Sequence, residues 1–240
     1  MGEAALWGAL AASSLLLGAL IAFRVRMRHR TLALVMAFGS GVLISAVAYE
    51  LVEEAVAVSA SGLAVAAGFS AGALVFFVGD EAIERRAGSG TGGGGLAIVL
   101  GAVLDGIPES AVIGISLIGG GSVSVAVLVA VFLSNVPEAI SATSDLVEDG
   151  WSKAKVTAMW SVVVLASALA SLLGFALLQD APGEWIAAIQ AFAAGSILTM
   201  LADEMIPEAY REARSSAHRK AVGLATALGF AVAAALSFGT

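Results

Sequence analysis

The chain has 240 residues, 59% hydrophobic and 13% charged, with a net charge of −7 and no cysteine, and its mean hydropathy is +0.96. Soluble domains run at roughly 45–50% apolar and about 25% charged residues, so a soluble fold is excluded, and at about 20 residues per spanning helix there is room for roughly eight spans and no sizeable extramembrane domain. Without cysteine there are no disulfides, thiolate metal sites or cysteine nucleophiles, and the positive charge is spread over short loops rather than gathered into a basic domain for nucleic acid.

Apolar runs between polar or glycine-rich breaks predict spans at about 4–23, 31–55, 62–84, 95–118, 122–144, 154–178, 184–209 and 219–238. The first opens on Met1, Gly2 and Glu3 and meets its arginines only after the apolar run, the reverse of a cleavable signal peptide, so it is expected to be retained. Cytoplasmic loops concentrate lysine and arginine. Arg24, Arg26, Arg28 and Arg30 follow span one, Arg85 and Arg86 span three, Lys153 and Lys155 span five, and Arg211, Arg214, Arg219 and Lys220 span seven, which accounts for all twelve cations. Every cation thus falls on one side of an eight-span chain, and the connections near Ser59, Gly120 and Asp180 carry none. The expectation is a multi-pass protein of the cell membrane, one transmembrane domain over residues 1–240, with both termini outside. The run 88–95 has neither the lysine nor the preceding strand of a phosphate-binding loop and reads as a flexible cytoplasmic linker.

An internal repeat overlays these spans. In span two, Ala37-Phe-Gly-Ser-Gly41 leads to Ala48-Tyr-Glu50 and then Glu54-Ala55; in span seven, Ala191-Phe-Ala-Ala-Gly195 leads to Ala202-Asp-Glu204 and then Glu208-Ala209, always 154 residues on. Spans three and eight echo each other in Gly62 and Gly68-Phe69 against Gly223 and Gly229-Phe230. Spans two and seven cross in opposite directions, so the repeat is inverted, an arrangement in which secondary transporters place a midplane site between halves.

Chemistry concentrates in spans four and five. Span four reads Leu104-Asp105-Gly106-Ile107-Pro108-Glu109, and span five Leu133-Ser134-Asn135-Val136-Pro137-Glu138. Asp105 and Glu109, and likewise Ser134 and Glu138, are four apart and share a helical face. An ionised carboxylate at the bilayer centre costs roughly 2.5–3.5 kcal/mol on insertion scales, so both faces must point inward. Pro108 and Pro137 deprive the Leu104 and Leu133 carbonyls of helical partners, adding acceptors that only protein, water or an ion can satisfy at that depth. Together these groups form an all-oxygen cluster that a divalent cation would neutralise. The bland alternative is a pair of proline-kinked packing helices whose polar residues bond one another; two copies of the same Pro-Glu pattern in adjacent spans favour the site.

The two motifs, with the eight spans, resemble the ZIP (Zrt/Irt-like) metal transporters. That family has both termini outside and a binuclear site built from His-Asn-x-Pro-Glu-Gly in span four and a related polar-polar-x-Pro-Glu-Gly in span five. The resemblance implies an all-α polytopic membrane protein with a 3+2+3 inverted-repeat bundle, and a transporter rather than an enzyme. By carry-over Asp105 stands for the histidine, Gly106 for the asparagine, Glu109 and Glu138 keep the glutamates, and Ser134 and Asn135 take the two polar positions. The chain departs from the family in having no acid in span six from Trp160 to Leu178 and only two histidines, His29 and His218. One principal metal site is therefore expected. Resemblance favours zinc as the transported substrate, whereas the loss of imidazole favours manganese, ferrous iron or magnesium; no resident cofactor is implied.

The remaining acids lie toward the span ends. Glu50, Glu53 and Glu54 end span two, Asp80, Glu81 and Glu84 span three, and Asp203, Glu204 and Glu208 span seven. They read either as funnels that concentrate cations or as ordinary helix-end acids paired with Arg85, Arg86 and Arg211; Glu50 and Glu204, deepest and matched across the repeat, are the candidate additional ligands. Trp7, Trp160 and Trp185 read as interface anchors. The partners expected are a divalent metal cation and the lipid bilayer, with a homodimer left open and no nucleic acid. Rival readings are a proton-coupled transporter of another solute, a non-transporting metal sensor or scaffold, and an intramembrane aspartyl hydrolase, for which Gly79-Asp80 is an incomplete signature.

Overall fold

The computed structural model describes residues 1–59, 61–87 and 94–239; most of the glycine run expected as a linker, residues 88–93, lies outside them. Eight helices among the described residues are long and apolar enough to cross a membrane. They are α1 (Gly2–Ala22), α2 (His29–Val58), α3 (Gly62–Ala87), α4 (Gly94–Ile115), α5 (Val125–Glu148), α6 (Lys153–Leu178), α7 (Gly183–Glu212) and α8 (Ser216–Gly239). Each coincides with a predicted span. The largest shift, four residues, is at the C-terminal end of α5, which runs to Glu148; in the α4–α5 connection Gly119 and Gly120 take positive φ, a conformation that costs glycine little, and Ser124 caps α5 by accepting from the Val127 N–H.

Two helices widen locally. Val47–Val52 in α2 and Leu201–Met205 in α7 are π-helical, a rare geometry that recurs at functional sites. The two segments start 154 residues apart and hold Glu50 and Glu204 in matching places, so the backbone carries the repeat as well as the sequence. Gln190 Nε2 donates to Glu54 Oε2 at 2.7 Å, while Met205, later in α7, abuts Gly39, earlier in α2. The two helices therefore run antiparallel, as an inverted repeat requires.

Glycine contacts set the register of the rest of the repeat and correct part of the sequence reading. A Cβ at Gly72 of α3 would overlap the Phe192 carbonyl of α7, and one at Gly229 of α8 would overlap the Phe38 carbonyl of α2. Likewise Gly195 meets Phe69, and Gly41 meets Thr226. These contacts map onto one another only if α3 and α8 are offset by 157 residues, so Gly229 answers to Gly72. The expected match of Gly68 with Gly229 is one helical turn out, because the shared Gly-Phe dipeptide is commoner than the packing position it was taken to mark. Small residues let backbones approach this closely, the usual basis of helix association in lipid.

Helix packing divides the 3+2+3 inverted-repeat bundle into two layers. The tightest pairs are α2 with α8, α3 with α7, α4 with α6 and α1 with α6, and α1 also lies against α5. Each repeat thus gives two helices to one layer (α2, α3, α7, α8) and its first helix, α1 or α6, to a second layer with α4 and α5. Within the second layer Ser171 Oγ donates to the Ala4 carbonyl at 2.7 Å. Trp160 belongs here too, and not at an interface: it is fully buried and its Nε1 donates to Thr143 Oγ1 at 2.9 Å. Trp185, in contrast, is 65% exposed, as an anchor should be.

Candidate metal centre

Both proline-containing helices run unbroken through their prolines, and their polar faces meet where α4 and α5 touch. Asp105, Glu109, Ser134 and Asn135 are all buried, and Glu138 nearly so. The Ser134 hydroxyl has one proton and gives it to the Val131 carbonyl at 2.9 Å, so its 3.5 Å approach to Glu109 Oε1 supplies at most a weak bond. Glu109 Oε2 and Asp105 Oδ1 are buried with no hydrogen-bond partner. Buried side-chain oxygens in native structures are nearly always paired, and two unpaired carboxylate oxygens one helical turn apart mark a place where a partner belongs.

One of the two expected free carbonyls, that of Leu133, fares differently from expectation. A Cβ at Gly39 would lie 2.9 Å from the Leu133 carbonyl oxygen, so α2 covers that carbonyl and it is not offered to an ion. Gly39 is where the repeat has Ala193; the close approach of the Leu133 carbonyl of α5 leaves no room for the methyl.

Below the carboxylates opens a cavity of about 450 Å³. Asp105 and Glu138 form its head; Glu204, Asp80, Asp203 and Glu84 line one wall; Asp145, Glu208 and Arg211 stand toward the cation-bearing end of the helices. Asp105 lies in the field of Glu138, Glu204, Glu109 and Asp80, and Asp80 and Glu204 line the same cavity. The cavity is thus a strongly acidic funnel with a single arginine. Among the described residues no three acidic or histidine side chains already converge as a ready-made ligand set.

Of the residues singled out in the sequence, Asp105, Glu138 and Glu204 reach this cavity, while Glu109, Ser134 and Asn135 lie behind its head in the α4–α5 contact. Glu50 does not join them: it accepts from Ser237 Oγ of α8 at 2.6 Å. Glu81 faces out and pairs with Arg85 at 2.7 Å, unlike its neighbour Asp80. Asp145 was missed, yet seven residues beyond Glu138 it extends the Ser134–Glu138 face by two turns, and that spacing is its signal.

Toward the other end the path is closed. Val112 and Ile113, just after Glu109, and Val127, Ala130 and Val131, just before Ser134, pack with Leu43, Val47, Ile197 and Leu201 into one buried apolar cluster.

The profile of the ZIP zinc transporter family matches residues 88–237, more than half of the chain and both Pro-Glu motifs. The chain belongs to the ZIP family. It is also 27% identical over 210 residues to the Arabidopsis thaliana protein named "Putative zinc transporter At3g08650", an alignment covering 83% of this chain and 33% of that protein. The chain therefore spans about a third of the length of the curated relative it matches. With ZIP membership and eight apolar helices, this is an integral membrane protein of all-α architecture. Within the family pattern, Gly106 faces α6: a Cβ there would come 3.0 Å from Ser167 Oγ, so a hydroxyl, and no acid, stands opposite the position where the motif has asparagine.

Proposed function

We propose that this ZIP chain carries a divalent metal cation across the cell membrane, binding it between α4 and α5 through Asp105, Glu109 and Glu138, with Ser134 and Asn135 as neutral oxygen donors. Supporting this reading above all are two carboxylate oxygens buried without partners, Asp105 Oδ1 at the head of the acidic cavity and Glu109 Oε2 behind it. A partly dehydrated cation offsets the desolvation of these groups, and Glu204 with Asp80 then offers it a next stop on the way out. Zinc is the substrate that family membership favours. The all-oxygen donor set also admits manganese, ferrous iron and magnesium.

With the cation-bearing ends in the cytoplasm, the cavity opens inward and the apolar cluster seals the outside. Transport then requires the layer of α1, α4, α5 and α6 to shift against that of α2, α3, α7 and α8, so that the carboxylates leave one vestibule for the other. The chain has no motif for ATP use, and ion gradients drive the cycle. Flux assays in liposomes test this: zinc uptake by the wild type should fall to background in Glu109→Ala and Glu138→Ala, and uptake unchanged in both would remove the proposal. Proton movement without bound metal would instead support the rival in which the carboxylates carry protons.

A further inference from the structure

Glu54 and Gln190 meet at the cation-free end of the α2–α7 contact, beyond the apolar seal. Gln190 is 2% exposed; its Nε2 donates to Glu54 Oε2 at 2.7 Å, and its Oε1 is buried with no hydrogen-bond partner. Glu54 is exposed. The pair thus joins an unsatisfied buried carbonyl oxygen, an exception among native amides, to a carboxylate in contact with its surroundings.

The repeat supplies a second, independent observation. The 154-residue offset carries Glu54 to Glu208 and Met36 to Gln190, and both Glu208 and Met36 line the acidic cavity. It also carries Glu50 to Glu204, while the 157-residue offset carries Asp80 to Ser237. Asp80 and Glu204, which line the cavity together, therefore have their images in Ser237 and Glu50, where Ser237 Oγ donates to Glu50 at 2.6 Å. Residues that line the open vestibule at one end have counterparts at the other, where Gln190 is buried, Glu50 is held by Ser237 and Glu54 alone is exposed. Inverted repeats exchange such environments when a transporter changes the side it faces.

We propose that Glu54 and Gln190 form a cation-capture position at the outer mouth, which takes a hydrated divalent cation when the Gln190 amide turns through half a rotation. With Nε2 toward Glu54, the N–H satisfies the carboxylate. With Oε1 toward it, two oxygens face each other, and a cation between them replaces the N–H. One carboxylate, one amide oxygen and retained waters make the sparse oxygen shell that hard divalent ions accept. Glu50, one turn away, is held by Ser237 and is not recruited. This inference rests on the reading of the chain as a divalent-cation carrier, but its site is separate from Asp105, Glu109 and Glu138.

The chain has only two glutamines, Gln179 and Gln190, so the full chain labelled with 15N-glutamine in detergent gives two side-chain amide signals, and Gln179→Ala assigns them. Titrated zinc should shift the Gln190 amide saturably in the wild type. In Glu54→Asn, which keeps an acceptor for the amide, removes the charge and adds no glutamine to the two labelled ones, the same shift should need at least tenfold more zinc. In the Glu109→Ala/Glu138→Ala double variant the Gln190 response should persist even though deep binding is gone. No Gln190 shift, an unchanged response in Glu54→Asn, or loss of the response in the double variant would each overturn the capture position, whereas failure of the deep site itself shows only in the flux of the Glu109 and Glu138 variants.

Discussion

The two ends of the α2–α7 contact are built from the same repeat and look unlike each other. At the cation-bearing end Glu204 and Glu208 face an open, acidic cavity. At the other end their images Glu50 and Glu54 are tied to Ser237 and Gln190, and an apolar cluster separates them from the carboxylates of α4 and α5. Matching π-helical segments and reciprocal glycine contacts show that the two halves share a backbone plan. The difference lies in what each end meets, an open cavity headed by Asp105 and Glu138 at one and Ser237, Gln190 and the apolar cluster at the other, and it teaches that one sequence pattern serves as vestibule or as packed contact according to its neighbours.

The comparison breaks most completely if the acids at the head of the cavity are dispensable. Replacing Asp105 by alanine should lower zinc flux by about a hundredfold or more, since even outer-shell partners of metal ligands are worth about 10–100-fold; Glu50→Ala should cost much less, because Glu50 lies outside the cavity. Liposome uptake with both variants measures the contrast.

Accessibility sharpens it next. Because the chain has no cysteine, single cysteines report cleanly. Ser141→Cys, on the cavity wall, should react with a water-soluble maleimide about two orders of magnitude faster than Ala130→Cys, fully buried in the apolar cluster, because thiol reactivity follows exposure. Equal rates would mean the seal is not one.

Packing of the repeat comes third. Gly229→Ala drives a methyl into the Phe38 carbonyl and should destabilise by about 1–3 kcal/mol, and Gly72→Ala, its image, should do the same; thermal unfolding in detergent reads both, with Gly101→Ala, whose added Cβ meets nothing within 4 Å, as the neutral control. The smallest effect belongs to His29. Its Nδ1 contacts Glu212 Oε2 at 2.6 Å, but the imidazole is half exposed, and His29→Ala should change stability by less than about 1 kcal/mol.

Much of this was legible in the residues. Span count and the one-sided placement of twelve cations follow from hydropathy and charge alone, and the two Pro-Glu motifs marked α4 and α5 because a carboxylate deep in an apolar run is too costly to be incidental. The α2–α7 repeat was legible because acids and glycines recur together there. What stayed hidden depends on neighbours that no local pattern names. Trp160 near a helix end reads as an anchor until Thr143 is seen to hold its indole. Leu133 reads as a free carbonyl until Gly39 is seen against it, and Glu50 reads like Glu204 until Ser237 is found on one and open cavity on the other. The register of α3 against α8 lay in which glycine touches a carbonyl, a property of the pair and not of either helix.

Anomalous scattering from zinc-loaded crystals of the full chain tests the central claim most directly. The account predicts a peak among Asp105, Glu109 and Glu138, with carboxylate oxygens about 2.0–2.2 Å away. Occupied zinc positions elsewhere, with those three carboxylates bonded only to protein, would contradict it.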